Sequence, residues 1–206
     1  MISKNLNLYA VILAGGKGSR MGDQDKPLLE LNNTPLIEWG LQRIKDQVAR
    51  VVISVNHNRE KYEYLNLDLV GDEFEKYQGP LVGIVSAMEW IIAKEETPTA
   101  LLCIPADVPF FPNNLVSVLW DEFTHNSCDV IWCQCEKQIQ PLFSIWSLNC
   151  KDKLQEALSK GLFGPKLVMP FVSNHLITIE PDSDLDFLNI NDRETLESVQ
   201  EMIKSS

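Results

Sequence analysis

Short apolar runs alternate, through the first 110 residues, with segments whose apolar side chains recur at helical spacing. Leu8 to Leu13 and Val51 to Val55 read as strands. Between them Thr34-Pro35 opens a helix carrying Leu36, Ile37, Leu41 and Ile44, with Thr34 as its N-cap and Pro35 as its first helical residue. A second helix starts at Gly79-Pro80-Leu81 and runs through Ile84, Met88 and Ile91, and Thr99 to Ile104 supplies another buried strand. A strand–helix–strand rhythm of this kind predicts an α/β fold: a mostly parallel sheet with both faces covered, in three layers.

The second half continues the pattern less regularly. Leu115, Val116, Leu119 and Trp120 mark a helix after Pro112, and a further helix covers about Leu154 to Leu158. Val130 to Cys133, Leu142 to Trp146 and Leu176 to Ile179 are strand candidates, some of them antiparallel additions to the sheet. Phe187 to Asn191 alternates apolar and polar residues before a helix through Leu196 and Val199. No repeat or long linker interrupts the 206 residues, and 45% hydrophobic composition suffices for a core, so residues 1–206 read as one domain.

Charge and cysteine content narrow the function classes. A formal charge of −11 argues against nucleic-acid binding, which needs an extended basic surface. No run approaches eighteen apolar residues and the first residues are polar, so the expectation is a cytoplasmic chain with no membrane segment. Cys103, Cys128, Cys133, Cys135 and Cys150 lack redox or zinc spacing and read as free thiols.

The chemistry concentrates after the first strand. Residues 13–28 hold Gly15, Gly16, Gly18 and Gly22 together with Lys17, Arg20 and Lys26. Backbone that approaches without a Cβ, combined with cationic heads, suits a polyphosphate, yet neither the P-loop nor the dinucleotide fingerprint is present. Asp107 follows a buried strand and is bracketed by Pro105 and Pro109. Its carboxylate can bind Mg²⁺ or can serve its own turn. Asn56, just after a strand, suits either a base or ribose or a turn. Asp72 alone reads as a solvated charge, Asp25 is placed to orient Lys26, and Gly83 permits close approach of a ligand or a neighbouring helix. No serine–histidine–acid arrangement is visible. A phosphate-monoester nucleophile would need none, being anionic already near neutral pH.

Leu13-Ala-Gly-Gly-Lys-Gly-Ser-Arg20-Met-Gly22, Asp25-Lys26, Gly79-Pro-Leu-Val-Gly83, Asp107-Val-Pro109 and Asn189-Ile-Asn191, taken in order, resemble the molybdenum cofactor guanylyltransferases over essentially the whole chain. The resemblance implies a Rossmann-like nucleotidyltransferase architecture and transfer of GMP from GTP to the terminal phosphate of molybdopterin or molybdenum-molybdopterin, with release of pyrophosphate. Leu13, Ala14 and Gly15 would lie against the guanine nucleotide. Gly16, Lys17, Arg20 and Lys26 would hold its phosphates, and Asn56 and Asp72 would contact GTP. Asp107 corresponds to the Mg²⁺-binding aspartate, and Asn189 and Asn191 to a polar motif near the reaction centre. Nucleotide-binding motifs would fall mainly in 8–110 and acceptor-side elements in 111–206. Implied partners are a molybdenum-insertion protein and recipient molybdoenzymes.

Two segments depart from the family pattern. Gln140-Pro141-Leu142 stands where members carry a His-Pro-Thr-like segment, and Gly161-Leu-Phe-Gly-Pro-Lys166 has Lys166 in place of an arginine. Alternatives that share the glycine loop are a nucleotidyltransferase using CTP for molybdopterin or another nucleotide for a sugar phosphate. A nonenzymatic GTP-binding or cofactor-handover protein is an alternative of another class.

Overall fold

The computed structural model describes residues 7–15, 25–71, 79–95 and 98–205. In chain order its elements are β1 (Leu8–Leu13), β2 (Glu30–Leu31), β3 (Thr34–Pro35), α1 (Leu36–Ile44), β4 (Val51–Ser54), β5 (Asp68–Val70) and α2 (Pro80–Lys94). There follow β6 (Ala100–Pro105), α3 (Leu115–His125), β7 (Val130–Cys135), β8 (Gln138–Ser147), α4 (Lys151–Ser159), α5 (Pro165–Val168), β9 (Asn174–Thr178) and α6 (Arg193–Ser205). Seven strands form one sheet in the order β5-β4-β1-β6-β8-β7-β9. β8 pairs antiparallel with both β6 and β7, while the other pairings are parallel. The mostly parallel sheet with an antiparallel addition in the second half is thus observed.

Alternation of side chains along the strands builds the layers. Leu8, Ala10 and Ile12 pack on one face with Ile37 and Ile44 of α1 and Leu115 and Leu119 of α3. Tyr9 and Val11 pack on the other with α2, α4 and α5. Both faces are therefore buried, which is why β1, β4 and β6 are continuous apolar runs and not alternating ones. α2 is apolar almost all round because it lies between the sheet and α4, burying the unbroken stretch Leu81 to Met88. A smaller cluster of Leu31, Leu36, Phe110, Ile190 and Val199 fastens α6 near the start of α1.

One expectation at a helix start is overturned. Thr34 does not cap α1: Thr34–Pro35 is a strand paired with Glu30–Leu31, and Pro35 holds the N-cap position without a side-chain hydrogen bond. Asn32 and Asn33, with φ of 52° and 59°, make the mirror-image turn whose twist matches a two-residue hairpin. That ladder takes the backbone of Thr34 before the helix can. Pro141, inside β8, coincides with a break in register against β7, which a residue without an N–H requires.

The five cysteines are free. Burial pushes the Cys133 and Cys150 thiols up to about 12, so they act as small protonated hydrophobes. Among the described residues no helix is long and apolar enough to cross a membrane.

Candidate active site

Three strand ends meet at the carboxyl edge of the sheet, where open α/β sheets place their ligands. Ala14, just past β1, donates its amide to Ser54 O at 2.9 Å, and Ala106, just past β6, donates to Leu13 O at 3.1 Å. These two bonds align Leu13, Ala14 and Gly15 with the ends of β4 and β6. A Cβ on Gly15 would lie 3.8 Å from Asn56 Nδ2, so Asn56 and the first glycine of the loop are neighbours. A Cβ on Gly83 would lie 2.5 Å from Ser54 Oγ and 2.9 Å from Leu13 Cδ2. The close neighbour of Gly83 is the sheet and not the expected second helix, a contact that seats α2 against β1 and β4.

Asp107 and Lys26 come together with the segment before α6. Lys26, at the start of a short 3₁₀ turn, donates from Nζ to Asn191 Oδ1 at 2.7 Å and lies 4.0 Å from Asp107 Oδ2. Asn189 hydrogen-bonds the Asp107 carboxylate, and Ile190 N donates to Asp107 O at 3.0 Å. The carboxylate also bonds its own backbone, so the turn role open to it is filled alongside these contacts. Burial raises the Asp107 pKa above its ordinary value, and Lys26 and Asn189 recover only part of that shift.

Asp25 behaves differently from expectation. It does not orient Lys26. Its carboxylate accepts from Asn58 Nδ2 at 2.9 and 3.1 Å and pairs with Lys61 Nζ at 3.2 Å. Lys26 is thereby left to Asn191 and Asp107. Gly16, Lys17, Arg20 and Asp72 lie outside the described residues.

Sequence reasoning did not single out Asn58, Lys61 or Arg43. Asn58 caps, and Lys61 lies within, the 3₁₀ helix Arg59–Leu65 that follows the end of β4, and nothing in the sequence marks their partner. Arg43 carries a readable signal, since at helical spacing it follows Leu36 and Gly40, both buried on α1. Its partners lie in the loops after β6 and before α6.

The donor set suits one hard divalent cation only in company. Among the described residues no group of three or more acidic, histidine or cysteine side chains gathers. Mg²⁺ is commonly held by one or two carboxylates plus substrate phosphates and water, and a single partly exposed Asp107 fits that pattern.

A three-layer sheet with a glycine segment after its first strand and an aspartate at the end of β6 defines a Rossmann-like nucleotidyltransferase fold. The chain belongs to the MobA-like NTP transferase domain family, whose model matches residues 10–170. It is 31% identical over 195 residues to the molybdenum cofactor guanylyltransferase of Shewanella pealeana, covering 94% of each chain. The same-named protein of Haemophilus influenzae is 34% identical over 156 residues, covering 76% of this chain and 79% of that one. The crystal structure of molybdopterin-guanine dinucleotide biosynthesis protein A from Archaeoglobus fulgidus superposes with a TM-score of 0.76 at 19% identity, over 96% of this chain and 100% of that one. Family and fold make this chain a nucleotidyltransferase.

Proposed function

We propose that the protein transfers GMP from GTP to the terminal phosphate of molybdopterin or molybdenum-molybdopterin, forming the guanine dinucleotide and releasing pyrophosphate. The observation that carries this reading is the convergence of Lys26, Asp107, Asn189 and Asn191 beside Leu13, Ala14, Gly15 and Asn56 at the carboxyl edge. Guanylyltransferase relatives that span nearly the whole chain support the choice of nucleotide and acceptor.

The reaction is an in-line displacement. A phosphate oxygen of the pterin attacks the α-phosphorus of GTP, a new P–O–P bridge forms, and the bond from the α-phosphorus to the α–β bridging oxygen breaks. Its electrons leave with pyrophosphate. No proton need be removed from the nucleophile, so positioning and charge neutralisation are the catalytic tasks. Lys26, Lys17 and Arg20 bind the triphosphate; Arg20 can clasp two phosphate oxygens, which Lys17 cannot. Leu13, Ala14 and Gly15 lie against the guanine nucleotide, with Asn56 and Asp72 contacting GTP. Mg²⁺, held by Asp107 and the substrate phosphates, would supply charge neutralisation at the triphosphate. Asn189 orients the Asp107 carboxylate, and Asn191 holds the Lys26 ammonium until phosphate oxygens compete for it. Lys166 serves the acceptor phosphate, and a molybdenum-insertion protein and recipient molybdoenzymes are the expected exchange partners.

Purified protein incubated with Mg²⁺, molybdopterin and GTP, CTP or ATP in separate reactions tests this. The expected result is pyrophosphate and a pterin dinucleotide from GTP. Product from CTP alone overturns the base assignment, and nucleotide binding without pyrophosphate overturns the enzymatic reading.

A further inference from the structure

Arg43, on α1, bonds the loop after β6 and feels the charge of the loop before α6, the two loops that build the site. Its guanidinium donates to Phe111 O at 2.7 Å and to Asn113 Oδ1 at 2.8 Å. It also sits 5.7 and 5.5 Å from the ring centroids of Phe110 and Phe111, within the range of cation–π attraction. The residues so held, 110–113, immediately follow the Asp107 turn. The carboxylates of Asp186 and Asp182, in the loop before α6, act on Arg43 electrostatically.

That second loop is folded for the purpose. Asp186 accepts from the backbone amides of Asp182 and Ser183 at 2.7 and 3.1 Å, and Asp182 in turn accepts from Asn113 N at 3.4 Å. Two backbone rungs then tie the loops together: Phe187 N to Phe110 O at 2.9 Å, and Ile190 N to Asp107 O at 3.0 Å. Phe187 adopts φ of 63° to do so, a conformation that an isolated chain disfavours for an aromatic residue. Asn189 and Asn191 flank the second rung and reach Asp107 and Lys26.

We propose that Arg43 is a positioning residue: it locks the 110–113 loop against the 182–187 loop and thereby fixes Asn189 and Asn191 onto Asp107 and Lys26. Nη1 alone donates both hydrogen bonds while the guanidinium stays over the rings of Phe110 and Phe111, so the group is held from two sides. The proposal rests on the nucleotidyltransferase reading of this edge but not on which nucleotide is used.

Two arginines with like contacts make the test. Arg50, on the amino side of β4, pairs with Asp68 and Glu95 and lies over Trp90, so Arg50→Met serves as a control for lost arginine packing. Arg43→Met should lower kcat by about 10- to 100-fold with a much smaller change in the KM for nucleotide, because misplacing catalytic groups costs turnover. Arg50→Met should leave both constants near wild type. Amide hydrogen exchange of Phe187 and Ile190 should accelerate in Arg43→Met and not in Arg50→Met, a readout that needs no substrate. Combining Arg43→Met with Asn191→Ala should cost little more kcat than Asn191→Ala alone.

Equal kcat losses in the two arginine variants, or unchanged exchange at Phe187 and Ile190, would overturn the proposal. So would losses that simply multiply in the double variant. If Arg43→Met does not fold, Arg43→Lys and Asn113→Ala replace it, with smaller losses of the same pattern expected. Exchange that changes as expected in a protein that transfers no nucleotide would uphold the lock and reject the function on which it bears.

Discussion

Replacing Gly79 by alanine perturbs the junction between α2 and the loop after α4. Gly79 has φ of +146°, and a Cβ there would lie 2.5 Å from Phe163 O and 2.8 Å from Phe163 Cβ. The obstacle includes backbone that already accepts the Leu81 amide at 3.1 Å, so it cannot swing aside as a flexible side chain would. Forcing a non-glycine residue into this backbone region costs about 1–3 kcal/mol, and overpacking a tight contact costs about 1–3 kcal/mol more. The expected destabilisation is their sum, about 2–6 kcal/mol, which at a urea dependence of about 2 kcal/mol per molar moves the midpoint down by about 1–3 M. Gly161 supplies the comparison. Its φ is +81°, but nothing lies within 4 Å of its Cβ position, so Gly161→Ala should cost only the backbone part, about 1–2 kcal/mol. Urea unfolding of both variants, followed by circular dichroism, measures the difference. If Gly79→Ala costs no more than Gly161→Ala, contact with Phe163 is not what demands glycine at the start of α2.

Other perturbations act on charge. Asp107→Asn should keep the fold and lose at least about 100-fold in pyrophosphate release, as removal of one well-placed electrostatic group does; near-normal Mg²⁺-dependent rates would remove Asp107 from the site. Lys61→Met should leave Asp25 short of a cation and draw Lys26 toward it, raising the KM for GTP more than it lowers kcat; steady-state kinetics with an unchanged KM would sink that reading. Burial alone would raise the Asp129 pKa, but the Lys153 ammonium at 2.7 Å and the Ser173 amide and hydroxyl outweigh it and hold the carboxyl below its ordinary value. The stability this contributes is full above the unfolded pKa of about 3.9 and is lost as pH falls through the lower folded value. Asp129→Asn should therefore narrow the gap between unfolding free energies at pH 7 and pH 3. Asp107 has the opposite sign, because its folded pKa is raised: its contribution is lost as pH climbs through that value, and Asp107→Asn should be relatively more stable at neutral pH than at acid pH.

What could be read from the chain divides by distance. The strands of the sheet centre are uninterrupted apolar runs buried on both faces, so Leu8 to Leu13 was visible with its observed bounds and β4 and β6 within a residue. Asp107 stood out because prolines and a buried strand constrain its neighbours in sequence. The hairpin of Glu30 to Pro35 was missed although Asn32-Asn33 is turn chemistry, because Thr-Pro before an amphipathic run is equally good helix-start chemistry and only the ladder decides between them. The Asp25 assignment failed for another reason. A residue beside Lys26 in sequence was an obvious partner for it, but the fold brings Asn58 and Lys61 to Asp25 from 33 and 36 positions away. Lys26 meets Asn191 across 165 positions, a contact that periodicity cannot reach; family resemblance placed Asn191 near the reaction centre without naming its partner.

Position-specific label shows whether a phosphate acceptor displaces pyrophosphate from the α-phosphorus of GTP at the Lys26 and Asp107 edge. GTP carrying ³²P at the α or the γ position would be incubated with Mg²⁺ and molybdopterin, using wild-type protein and Asp107→Asn in parallel. Wild-type protein should put α-label in the pterin dinucleotide and γ-label in pyrophosphate, with strong loss of both in the variant. Label from the γ position in inorganic phosphate, with none from the α position in the pterin product, would contradict it.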